Sequence, residues 1–109
     1  GFRILDVSNP SSPTLLGMYK RTYGCVQVVD GLAYLGDLII DVTDPTSPTK
    51  VSWCPVGFGV KDVYVSGGLG YYAAGGRGLY IADVSDPTSP TLFGPYGGWP
   101  GPLDEAVGV

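Results

Sequence analysis

Short apolar runs broken by turn residues organise the whole chain. The runs VKDVYVS, LGYYAA, GLYIADV and TLFGPY are rich in Val, Ile, Leu and Tyr, and Gly-Gly, Gly-Gly-Arg and Asp-Pro-Thr-Ser-Pro separate them. Alternation within each run is weak, as in strands buried on both faces of stacked sheets. Four antiparallel strands are predicted over this unit. An earlier stretch keeps the same order as VQVV, LAYL, LIIDV and KVSWC, with its second hairpin reduced to Gly36 and Asp37, a two-residue turn that these residue types permit. The strands flanking that turn are predicted to be shorter. No stretch combines helical periodicity with caps; DEAV near the C-terminus, between Pro102 and Gly108, is too short to hold a helix by itself.

One phrase recurs between the runs: DVSNPSSPT from Asp6, DVTDPTSPT from Asp41 and DVSDPTSPT from Asp83. Copies start 35 and 42 residues apart, and a period of roughly 40 to 45 residues belongs to four-stranded propeller blades. The predicted fold is therefore all-β: β-propeller blades of four antiparallel strands, about two full blades plus partial blades at both ends, with no significant helix. The single repeat domain divides into a partial blade over residues 1–24, a blade over 25–59, a blade over 60–100 and the start of another over 101–109. FRILDV falls as a third strand, LLGMY as a fourth, and AVGV as a first.

A blade cannot bury both faces without neighbours, and an open sheet face or edge invites another chain. The expected partners are copies of the chain itself, joined head to tail as a ring or filament, or the rest of a longer propeller. GFRILDV already reads as a strand and offers no leader, so a secreted precursor trimmed at this point or a piece of a longer protein is expected.

Composition narrows the chemistry. With 44% hydrophobic and 15% charged residues, 18 Gly and 10 Pro, the chain is neither disordered nor built of membrane-spanning helices. Six basic residues stand against ten acidic ones, a net charge of −4, and the basic residues are scattered, which argues against a nucleic-acid partner. No histidine is present, which removes the usual general base and the commonest metal ligand. Catalytic, cofactor and metal sites are accordingly expected to be absent.

The repeated phrase itself suits a joint better than a site. Asn9, Asp44 and Asp86 precede Pro10, Pro45 and Pro87, where a side-chain oxygen accepts backbone N–H groups two or three residues on while proline presets φ. A calcium reading needs six to eight converging oxygens and a glycine bend, against one carboxylate per turn and a second proline in each phrase. Asp6, Asp41 and Asp83 end third strands and are expected to bind local backbone rather than to form an acidic row. The Gly-rich stretches GGLG and GGRG lack the following Lys-Ser or Lys-Thr of a phosphate loop and are expected to be hairpin turns.

Strand tyrosines 34, 64, 71, 72 and 80 are expected to pack between blades with their hydroxyls reaching polar partners. Trp53, Phe58, Tyr96 and Trp99, with Tyr23, fall in fourth strands or connections and are the candidate interaction aromatics, for subunit contact ahead of a glycan. Cys25 and Cys54 are either free thiols or disulfide-bonded; within one sheet two strands would separate them, too far for a bridge unless the connection before the strand returns Cys25, and a bridge between molecules is the other form open.

The phrases RILDVSNPSSPTLLG, LIIDVTDPTSPTKVS and LYIADVSDPTSPTLFG, with VSGGLGYYAAGGRGLYIADV, resemble the LVIVD repeat of bacterial and archaeal cell-surface and secreted proteins. The resemblance covers nearly the whole chain. It implies propeller-type blades and an extracellular or cell-surface location, and it brings no catalytic residues with it. The expected function is a non-enzymatic structural or interaction scaffold that assembles through incomplete blades; a glycan- or ligand-binding propeller using rim aromatics is the alternative.

Overall fold

Turn residues cut the chain into strands at the expected places. A computed structural model describes residues 1–20, 25–57, 59–94 and 96. Strands β1 (Phe2–Asp6) and β2 (Thr14–Tyr19) form a two-stranded sheet. The next four, β3 (Val26–Val29), β4 (Leu32–Leu35), β5 (Leu38–Asp41) and β6 (Thr49–Trp53), make one four-stranded antiparallel sheet in sequence order. A second such sheet joins β7 (Asp62–Ser66), β8 (Leu69–Ala73), β9 (Leu79–Asp83) and β10 (Thr91–Leu92). No helix occurs among the described residues. The stretch containing AVGV lies outside them, as do Tyr23, Phe58 and Trp99.

Hairpin chemistry fixes the register. Between β3 and β4, Asp30 and Gly31 take φ of 50° and 77°, and between β7 and β8 Gly67 and Gly68 take 59° and 78°. Two left-handed residues in succession match the twist of the flanking strands. Gly36 and Asp37 close the β4–β5 hairpin with Leu35 opposite Leu38, and these strands have four residues each where β8 and β9 have five. Register makes the two four-stranded blades superimposable position by position. Leu32 and Leu69 face Asp41 and Asp83, and Gln27 and Tyr64 face Tyr34 and Tyr71. In the same frame Ile4, Ile39 and Ile81 correspond, as do Leu5, Ile40 and Ala82.

Alternation sorts each blade into two faces, and the core lies between blades rather than within one. Ala33, Leu35, Leu38 and Ile40 cover one face of the middle blade, with Phe2 and Tyr19 of the two-stranded sheet packed against them. Tyr34 and Ile39 on its opposite face join Val63, Val65, Tyr72 and Ala82 of the third blade in a second cluster. The middle blade is thus buried on both sides. This explains the weak alternation of LAYL and LIID: Ile39 and Ile40 are both fully buried, though they point in opposite directions.

Candidate interaction surface

The DPTSP phrase builds the same turn three times. The Oδ1 of Asp44 accepts the Thr46 N–H at 3.1 Å and the Thr46 hydroxyl at 2.6 Å, and Asp86 does the same with Thr88 at 3.1 and 2.6 Å. Asn9 accepts the N–H and hydroxyl of Ser11 at 3.3 and 2.8 Å. In each copy a backbone bond of 3.0 Å closes the turn, from Ser12, Ser47 and Ser89 to the carbonyls of Asn9, Asp44 and Asp86. The strand-ending acids behave alike: Asp41 takes the N–H and hydroxyl of Thr43, and Asp83 those of Ser85. Bonds from these donors hold the Asp41, Asp44 and Asp83 carboxyls below their ordinary pKa, and at Asp6 the Ser8 N–H leads the same effect. Each carboxylate is directed at its own loop, and no group of three His, Cys, Asp or Glu side chains able to hold a metal occurs among the described residues.

The turns also touch the neighbouring blade. The Ser52 hydroxyl on β6 donates to the Pro87 carbonyl of the third blade's turn at 2.5 Å. One junction earlier, the corresponding residue of β2 is Gly17. A Cβ there would collide with the Pro45 carbonyl and approach Pro48 Cδ to 3.2 Å. The fourth strand of one blade therefore seats the proline turn of the next, and it does so through a small residue at the same position. A further clasp crosses the second junction: the Gln27 side-chain amide accepts the Val65 N–H at 2.6 Å and donates to the Val65 carbonyl at 3.1 Å.

Exposure at corresponding positions locates the open surface. Ile40 and Ala82 are 0% exposed, while Leu5, their counterpart on the outer side of the two-stranded sheet, is 49% exposed. Val28 is 58% exposed where its counterpart Val65 is 6%. Leu15 and Met18 are exposed on the same outer side as Leu5, since Leu5 pairs with Leu15 and Arg3 with Met18, whereas Val26 and Val28 share the face of the middle blade that carries Ala33 and Ile40. At the opposite end the outer face of the third blade carries Tyr64 and Tyr71, their ring centroids 6.3 Å apart, with exposed Phe93 and Tyr96. Among the described residues, no blade covers the outer side of the two-stranded sheet or the outer face of the third blade.

Of the candidate interaction aromatics, Trp53 and Tyr96 lie on different blades. Trp53 lies on β6 of the middle blade, exposed, with the Lys50 ammonium 3.9 Å from its ring centroid. Tyr96 bridges to Leu79 beside β9, on the third blade. Phe58 and Trp99 are outside the described residues. Two expectations about tyrosines need correction. Tyr64 is half-exposed, with no blade over its face among the described residues, and the Tyr72 hydroxyl is buried without a hydrogen-bond partner of normal geometry, because apolar residues of two blades close over it.

Cys25 and Cys54 are free thiols that both touch the second core cluster. Burial pushes the Cys54 thiol up to about 11 and raises that of Cys25, which is only half-buried. Gln27, Ser52 and Gly17 were not singled out from sequence, although signals existed. Gln27 is the lone polar residue of VQVV, and each fourth strand has a small residue, Gly17, Ser52 or Gly94, three places after the final Thr of the phrase.

Stacked antiparallel four-stranded blades, each burying its faces only against neighbouring blades, define a repeat module of the propeller type. The family model described as LVIVD repeat matches residues 1–21, 24–55 and 59–97, and the chain belongs to the LVIVD repeat family. Searches of curated proteins and of solved structures return no match.

Proposed function

We propose that the chain is a non-enzymatic interaction scaffold, displayed outside the cell, whose open blade faces dock further blades of the same repeat. The observation carrying this reading is the exposure contrast at one repeat position: Ile40 and Ala82 are wholly buried against a neighbouring blade, whereas Leu5 is half-exposed. A position that is apolar in all three copies is matched to a neighbour, and an apolar stripe left in water favours association. The Tyr64 and Tyr71 face supplies the opposite half. An extracellular setting rests on the resemblance to surface and secreted repeat proteins alone. A glycan reading would require Trp53 as a free platform, and the Lys50 ammonium already occupies one face of its ring.

Sedimentation over a dilution series tests the proposal. Concentration-dependent association is expected, and Leu15→Asp and Tyr64→Asp should each weaken it at least tenfold while leaving far-UV circular dichroism unchanged. A wild-type chain that stays monomeric at high concentration, or association indifferent to both substitutions, would sink it.

A further inference from the structure

A small residue stands three places after the final Thr of each repeated phrase. Counting from Thr14, Thr49 and Thr91, it falls on Gly17, Ser52 and Gly94. At Gly17 the space a Cβ would occupy is filled by the Pro45 and Pro48 turn of the next blade. Ser52 bonds to Pro87. At Gly94 the same space is filled by the chain's own Tyr96, whose ring atoms would lie 2.5 and 2.6 Å from the added Cβ. Tyr96 corresponds to Tyr19, because Leu79 bridges Tyr96 as Phe2 pairs with Tyr19. Yet Tyr19 packs outward, on the buried face of the blade that follows it. Tyr19 lies on the blade that follows it, whereas Tyr96, with no following blade among the described residues, folds back over its glycine.

Resting on the docking reading above, we infer that Gly94 is the vacant turn seat of the stack, covered by Tyr96, and that it receives the Asn9–Pro10 turn of a second copy. The chain carries both parts of this contact. The turn at Asn9 to Pro13 is exposed and has the same internal bonds as the seated turns at Asp44 and Asp86. The faces flanking seat and turn are the outer face of the third blade, with Tyr64 and Tyr71, and the outer side of the two-stranded sheet, with Leu5, Leu15 and Met18. On docking, Tyr96 swings from Gly94 onto the incoming Leu5, Leu15 and Met18 face, as Tyr19 lies on the face of Leu38 and Ile40. Seat and turn lie on different surfaces, so the contact is head to tail and extends from copy to copy.

Disulfide trapping tests the geometry. Gly94→Cys and Pro13→Cys chains are mixed, oxidised gently, and mapped by peptide mass spectrometry, which separates the new bond from any involving Cys25 or Cys54. A mixed dimer joined through positions 94 and 13 is expected, and the double variant should give a ladder of higher oligomers. As a second measurement, Gly94→Ser supplies the hydroxyl that Ser52 uses and should tighten association about fivefold, the gain of one hydrogen bond. Association that persists with no 94-to-13 bond and no response to Gly94→Ser overturns the turn seat while leaving blade docking intact. A bond joining two copies through position 94 on both overturns the head-to-tail arrangement. Absence of association at any concentration overturns docking itself.

Discussion

The side-chain amide of Gln27 pairs with the backbone of Val65 as another strand would, accepting its N–H and donating to its carbonyl. Val65 lies on β7, whose ladder partner is β8 on its other edge. Gln27 thus satisfies edge groups that the junction would otherwise bury, and it belongs to the blade before. Replacing it by Ala leaves both groups without their partner. Gln27→Ala is expected to cost about 2 kcal/mol in urea unfolding. Gln27→Glu keeps the acceptor but sets a carboxylate against the Val65 carbonyl. It should be less stable than the Ala variant at neutral pH and recover as the carboxyl protonates in acid.

Ile39 and Ile40 are sequence neighbours that serve different junctions. Each Ile→Ala change should cost about 2 to 5 kcal/mol, because a closely packed site refills little of the lost volume. The effect should be directional in hydrogen exchange. Ile40→Ala is expected to deprotect amides of β1 and β2 first, and Ile39→Ala those of β7 to β9. Identical protection patterns in the two variants would contradict the assignment of one core to each junction.

The turn carboxylates predict acid sensitivity. Asp6, Asp41, Asp44 and Asp83 have depressed folded-state pKa values, led by hydroxyl bonds at the latter three and by the Ser8 N–H at Asp6. A depressed carboxyl stabilises the fold above its unfolded pKa and loses that contribution as pH falls through the folded value. Turn stability should therefore decline from about pH 4 downward, near the unperturbed aspartate value. Carbon-detected titration of these side chains should give midpoints below those of an unfolded peptide. Thr46→Val, which removes the hydroxyl donor, should raise the Asp44 midpoint.

Thiol reactivity should separate the two cysteines. Burial raises the Cys54 thiol to about 11 and disfavours its thiolate. At pH 8 Cys54 is expected to resist iodoacetamide in the folded chain, Cys25 to react slowly, and both to react at once in denaturant. The sign for stability is opposite to that of the carboxylates: the raised thiol contributes fully below its unfolded pKa, and that contribution is lost as pH rises toward 11. Rapid alkylation of Cys54 under native conditions would contradict its burial between blades.

Much of the architecture was legible before any coordinates. Tyr and Val runs between Gly-Gly and Asp-Pro turns fix strand boundaries because those turns depend on local backbone freedom and on side chains bonding two residues ahead. Asp44 to Thr46 and Asp86 to Thr88 are contacts of that range. Gln27 to Val65 spans 38 residues and Ser52 to Pro87 spans 35, so neither is visible in local propensity. The exposed aromatics divide the same way. Trp53 could be placed on a fourth strand, but the lysine over its ring and the separate location of Tyr96 follow from which faces the blades turn toward one another.

By itself the sequence determined the repeat, the strand order within a blade and the turn that closes it, because hydrogen bonds between near neighbours and the two-residue alternation of a strand are written locally. Tertiary structure alone decided which face of each strand meets which neighbour. That choice depends on stacking whole sheets, and it makes Ile40 buried and Leu5 open, and lays Tyr96 over Gly94 where the next blade's proline turn lies over Gly17.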